Sequence, residues 1–197
     1  MSKYQEIRAV FDKETITVYQ AYNKAIATKA TINNKFVNPF SFTRMTWIKP
    51  SFLWMMERSN WGTKSNQEHI LAIKIKRNYW EKALSLAVLT HPDLRVYVNE
   101  DDWRNKFSKS PIHIQWDPER SIRGGKLEFR SIQVGISRHL INEFNEIWIS
   151  EIKEITPFVS KLRDMLKKGK HSEAQKLLPQ EKVYQVSEGI KAKIGIV

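Results

Sequence analysis

Alternation at every second position and spacing at three and four residues take turns along this chain, and the switches between them mark out its elements. In TITVYQAY, residues 15–22, Ile16, Val18, Gln20 and Tyr22 share one face while Thr17, Tyr19 and Ala21 share the other, which predicts a strand. Gln20 therefore continues a face begun by two aliphatic residues. A short helix is expected over 24–31, followed by a loop rich in Asn and Pro. HILAIKIKR predicts a second strand, with Leu71, Ile73 and Ile75 inward and Lys74 and Lys76 outward, and NYWEKALSLAVL after it has helical spacing. IHIQWDPER and RSIQVGIS alternate again, each with one apolar and one polar face, and Gly124 and Gly125 between them suit a turn. From Ser137 the spacing turns helical through Leu140, Phe144, Ile147 or Trp148, Ile152 and Ile155, with Ser137 as N-cap. Thr156 and Pro157 then start a helix that ends near Gly169, and Ser172 with Gln175 has the spacing of a capping box for another. Strands early and in the middle, with helices at the end, give an α+β fold: one domain, 1–197, with a mainly antiparallel sheet, whole or split, and a helical C-terminal portion over 137–180.

One segment is not explained by periodicity alone. RMTWIKPSFLWMMERSNW, residues 44–61, sets Trp47, Trp54 and Trp61 among Arg44, Lys49 and Arg58. A helix over 50–60, with Pro50 at its first position, places Phe52, Met55, Met56 and Ser59 on one side and Ser51, Trp54, Arg58 and Trp61 on another. The first stripe is a core face. The second is either more core or a platform on which a guanidinium between two indoles stacks with a flat ligand such as a nucleobase or nicotinamide.

Composition narrows the chemistry. The chain has 197 residues, an ordinary hydrophobic share of 41% and a formal net charge of +12. A basic surface attracts phosphate, so a nucleotide or nucleic acid is the expected partner class. There is no cysteine, which removes disulfides, thiolate zinc and cysteine catalysis. The scattered histidines have no ligand spacing, so no metal is expected. No apolar signal core or membrane-length run is present, so no membrane partner is expected and the cytoplasm is the expected compartment. The motifs of P-loop ATPases, Rossmann dehydrogenases, α/β-hydrolases and helix-borne zinc proteases are all absent. Oligomeric state is not legible.

Polar groups remain where a core would not ask for them. Gln20 sits among aliphatics, Arg44 and Lys49 flank Trp47, and WDPER places Asp117, Glu119 and Arg120 at a strand end. Arg130, Ser131 and Gln133 open the next strand. If the two strands pair, their polar faces line one surface, and the cations near the Gly-Gly turn suit phosphate; a solvated sheet face is the plainer alternative.

The runs IRAVFDKETITVYQAY, RMTWIKPSFLWMMERSNW, QEHILAIKIKR, WDPER and RSIQVGIS, in this order, resemble the signature of a family catalogued as domain of unknown function 4291, over about residues 7–179. That resemblance implies no reaction. Carried onto this chain, its signature covers Tyr19, Gln20, Tyr22, Arg44, Thr46, Trp47, Lys49, Ser51, Trp54, Arg58, Trp61, Lys64, Gln67, Asp117, Glu119, Arg120, Arg130, Ser131 and Gln133. The order of elements is also similar to the split sheet of ADP-ribosyltransferases, which hold NAD between two small sheets. This second resemblance implies NAD as ligand, Gln20 near the ribose or nicotinamide, Tyr19, Tyr22 or Trp54 stacking on the nicotinamide, and Glu119, with Asp117 as fallback, stabilising an oxocarbenium-like transition state. The chain departs from that pattern in having Gln where His or Arg stands, and in lacking a Gln-x-Glu or Glu-x-Glu pair. The resulting expectation is a nucleotide- or nucleic-acid-directed enzyme performing glycosyl transfer from NAD; the alternative is a non-catalytic nucleic-acid-binding module whose tryptophans stack on bases.

Overall fold

The computed structural model describes residues 5–196. The chain is α+β and mainly antiparallel, and its strands fall into separate sheets. β2 (Thr15–Tyr22), β4 (His69–Lys76) and β8 (Ile149–Glu154) form a three-stranded antiparallel sheet with β4 in the centre. β3 (Thr46–Ile48), β7 (Lys126–Ile136), β6 (Ile112–Arg120) and β5 (Ala87–Leu89) form a four-stranded sheet in that order, its one parallel pair being β5 with β6. β1 (Arg8–Ala9) and β9 (Lys182–Val183) make a two-stranded ribbon. The helices are α1 (Lys24–Asn33), α2 (Phe52–Ser59), α3 (Arg77–Leu86), α4 (Glu100–Lys109), α5 (Ile141–Glu143), α6 (Thr156–Lys167), α7 (His171–Leu177) and α8 (Glu188–Ile194).

Period-2 residues pack where alternation requires. Ile16 and Val18 of β2, Leu71, Ile73 and Ile75 of β4, and Ile112, Ile114, Ile132, Val134 and Ile136 of β6 and β7 are buried in one large core with Trp80 of α3. Tyr19 and Ile70, on the other face of the three-stranded sheet, join a second core made by Phe52, Met55 and Met56 of α2 and Val159 and Leu162 of α6. Each fully buried side chain of this size contributes roughly 1.5–3 kcal/mol relative to exposure. α2 is therefore held by its apolar side, and Arg58 on its other side is exposed.

Where expected and observed elements differ, local bonding explains the difference. Ser51, not Pro50, opens α2: its Oγ accepts from the Trp54 amide at 3.1 Å, so Pro50 stands ahead of the helix. The helical spacing from Ser137 yields only α5 and a π-helical turn, Phe144–Trp148, before the chain becomes β8. Ser137 does not cap a helix; its Oγ accepts from the nearby His139 amide. Ala87 to Leu89 leave the helical pattern because their backbone pairs with β6. Thr156 Oγ1 accepts from the Ile70 amide and ties α6 to β4, and Ser172 lies inside α7, which has no side-chain cap. The weakly patterned C-terminus forms α8, capped by Ser187, and the Ile194 carbonyl accepts from the Trp116 indole at 2.8 Å.

Candidate functional site

Among the described residues, one backbone bridge joins the two larger sheets. The Tyr19 amide of β2 donates to the Lys49 carbonyl just beyond β3 at 2.7 Å, and past this point the strands diverge. A cleft of about 490 Å³ opens at the divergence, walled by Gln20 and Tyr22 of β2, Arg44, Thr46, Trp47 and Lys49 around β3, Met55 and Arg58 of α2, and Gln67.

Gln20 is buried at the base of this cleft, 3% exposed. Its Nε2 donates to Thr46 Oγ1 at 2.7 Å and to the Trp47 carbonyl at 2.9 Å, and so spans the split. Both donors are used, and Oε1 is buried with no hydrogen-bond partner among the described residues. Such an acceptor costs free energy unless something supplies an N–H or O–H. The Tyr22 hydroxyl lies 3.3 Å from the same Thr46 Oγ1, and burial pushes its phenol up to about 12. Tyr22 is edge-on to Phe36 and Phe40, a wall of rings rather than an open platform.

Lys49 is 8% exposed. Its Nζ donates to the Trp47 carbonyl at 3.3 Å and stands 5.3 Å from the centre of the Trp54 ring. Burial draws the ammonium down to about 7, the Arg58 guanidinium pushes the same way, and Asp117 opposes both. Asp117 is fixed by β6 pairing with β7: its Oδ1 accepts from Gln115 at 2.9 Å and its Oδ2 from Gln133 at 2.6 Å. Asp117 lies opposite Ser131 in the register, so the two polar faces do share one surface. Trp47 rests on Gly135 of that surface, where a Cβ would stand 2.9 Å from its ring. Arg44 and Arg58 are exposed at the cleft, and neither has an ion-pair partner among the described residues. The lining carries cations and no carboxylate.

The expected site is thus divided. The cation beside Trp54 is Lys49, not Arg58. Trp61 does not extend the Trp54–Arg58 stripe: it follows α2 with φ 54°, packs edge-on to Phe52 at 6.4 Å, and its carbonyl accepts from Arg163. Tyr19 is 2% exposed and edge-on to Phe52, which leaves no ring face for a ligand. Lys64 is exposed in the loop after α2 and does not line the cleft. Arg130 donates to the Trp116 carbonyl and lines a different hollow with Gln5 and His91.

Glu119 also lies elsewhere. It lines a second cleft of about 330 Å³ with Arg8, Ser51, Arg120 and Glu181. Arg120 is tied to the Gly124 carbonyl at 3.1 Å and to Glu57 at 3.4 Å. Burial raises the Glu119 carboxyl, opposed by the Arg120 amide and the Ser51 hydroxyl. Burial likewise raises Glu181, to about 8, and the Glu119 charge adds to the rise, while the Phe52 amide, which donates to Glu181 at 2.7 Å, and Arg8 oppose it. Glu181 and Arg8 carried no signal in the sequence: one follows Pro179 and Gln180, the other opens the two-residue β1, and only tertiary folding brings them to the start of α2.

The family model described as Domain of unknown function (DUF4291) matches residues 6–184. The chain belongs to this family. No curated protein matches it in sequence. The span matched to the DUF4291 family runs from before Arg8 to beyond Glu181 and so contains both clefts whole. No helix among the described residues is long and apolar enough to cross a membrane.

Proposed function

We propose that the protein binds a nucleotide in the cleft at the split between its sheets, with NAD as the first ligand to try. The observation that carries this reading is the buried, unpartnered Oε1 of Gln20 at the base of a cleft whose rim holds Arg44 and Arg58. An acceptor that lacks a donor suits the carboxamide of nicotinamide or the amino group of adenine, and guanidinium groups without carboxylate partners suit a pyrophosphate. Trp47 adds apolar surface for a flat ring. Glycosyl transfer would further require a carboxylate at the sugar, and Glu119 faces the other cleft. Binding is accordingly the core of the proposal, and release of nicotinamide is its extension.

Calorimetric titration with NAD, ADP-ribose and ATP tests the reading. Saturable binding of at least one, lost in Gln20→Leu, is the expected result; no saturable binding by any of the three would overturn it. A random oligonucleotide belongs in the same series. If the charge of +12 serves nucleic acid instead, oligonucleotide affinity will fall steeply with salt while the nucleotides fail to bind.

A further inference from the structure

Lys49 is a buried lysine in the wall of the cleft. Its backbone is pinned by the bridge to Tyr19, its side chain runs beneath the Trp54 ring, and of its three ammonium donors the Trp47 carbonyl takes one, at 3.3 Å. Lys49 lines the same cleft as Gln20, whose Oε1 has no partner among the described residues, and as Arg44 and Arg58. Nothing in fold stability calls for a lysine here, since burying its charge is unfavourable and no carboxylate bonds to it directly. An amine that is desolvated and crowded by another cation is how a lysine becomes a nucleophile for carbonyl carbon.

We propose that Lys49 is a carbonyl-reactive lysine that forms an imine with an aldehyde or ketone carrying a phosphate or similar anionic group, the anion being held by Arg44 and Arg58. The inference does not rest on the nucleotide reading. In the reaction the Nζ lone pair adds to the carbonyl carbon, a C–N bond forms and the C=O π pair moves to oxygen. That oxygen then leaves as water, taking the two amine hydrogens, and the nitrogen lone pair closes the C=N bond. No oxidant or metal is needed. The charged groups around Nζ are Arg58 from α2, which favours the neutral amine, and Asp117 from β6, which opposes it. Arg44 lines the cleft ahead of β3, and Tyr22 of β2 remains a neutral phenol there.

Pyridoxal 5′-phosphate is a suitable probe, because it joins an aldehyde to a phosphate on a flat ring. The full-length protein is mixed with it near pH 7, reduced with borohydride to fix any imine, and mapped by peptide mass spectrometry. Lys49 should be labelled about tenfold or more faster than any exposed lysine, since those are almost wholly protonated at that pH. Pyridoxal without the phosphate should label Lys49 more slowly, and Arg58→Gln should move the midpoint of its pH–rate profile upward. Label spread over surface lysines with Lys49 no faster than the rest would overturn the proposal, as would equal rates with and without phosphate. Mapping the wild-type protein needs no variant, so the result does not depend on whether Lys49→Met folds. NAD titration is a separate measurement, so either reading can fail alone.

Discussion

Lys49 serves two elements with two different groups: its carbonyl accepts the Tyr19 amide at 2.7 Å and joins the sheets, while its Nζ stands 5.3 Å from the Trp54 ring centre. The backbone role is indifferent to the side chain. A methionine at position 49 keeps the bridge and the apolar contact with Trp54, so Lys49→Met should fold and should lose whatever the amine does.

The two sides of α2 predict opposite responses to truncation. Phe52 is 1% exposed and packs with Tyr19, Trp61 and Phe158, so Phe52→Ala should destabilise the protein by about 3–5 kcal/mol. Arg58 is exposed, so Arg58→Ala should leave the melting temperature nearly unchanged while weakening any anionic ligand of the cleft. Denaturant melts and ligand titrations on the same two preparations check this. Equal destabilisation by the two would make the polar stripe structural.

Gly135 predicts how firmly the cleft wall is seated. A Cβ there would stand 2.7 Å from the Met45 sulfur and 2.9 Å from the Trp47 ring. Met45 can swing aside, but the indole must lift from the sheet. Gly135→Ala should therefore change Trp47 fluorescence and lower ligand affinity, with a stability loss of about 1–3 kcal/mol from overpacking. Unchanged fluorescence and affinity would show that Trp47 has room to move.

Strands with strict alternation were legible because side-chain period and pairing agree: Thr15–Tyr22 is the observed span of β2 to the residue. β8 was not, since Ile149 and Ile152 are three apart and imitate a helix face. Both nevertheless point to the core, because an extra residue, Ser150, bulges between Glu151 opposite Lys74 and Ile149 opposite Ile75. The polar surface of β6 and β7 could be read from alternation alone. The separation of Gln20 from Glu119 could not, since it depends on where α2 crosses the split, and no local pattern encodes that. Trp61 looked like a continuation of its helix only because spacing cannot reveal the left-handed turn at Asn60 and Trp61.

Glu119 supplies a test of how independent the two clefts are. Glu119→Gln keeps the size of the side chain and removes a charge that adds to the rise burial imposes on Glu181. NAD affinity in the Gln20 cleft should not change, and the titration of Glu181, followed by carboxyl carbon NMR, should move down from about 8 while burial keeps it above the ordinary glutamate range. A large loss of NAD affinity would mean that the ligand reaches across Ser51 into both clefts.

Glu181 and Lys49 set stability against pH with opposite signs. The Glu181 carboxyl is raised from 4.5 to about 8, so between those values the folded chain holds a proton that the unfolded chain has released. Its contribution is fully present below pH 4.5 and is lost as pH rises through about 8. Lys49 is lowered from 10.5 to about 7, so between those values the unfolded chain holds the extra proton, and stability from this group rises with pH. Folding should therefore be weakest where the windows overlap, around neutral pH, and each variant should remove one limb. Glu181→Gln, which can still accept from the Phe52 amide, should flatten the fall on the acid side. Lys49→Met should flatten the rise on the alkaline side and raise stability at neutral pH, because the cost of the buried amine is gone. Urea melts of the wild type and both variants from mildly acidic to alkaline pH measure the slopes. A wild-type curve with no fall below neutral pH and no rise above it would show that neither group is perturbed in the folded protein.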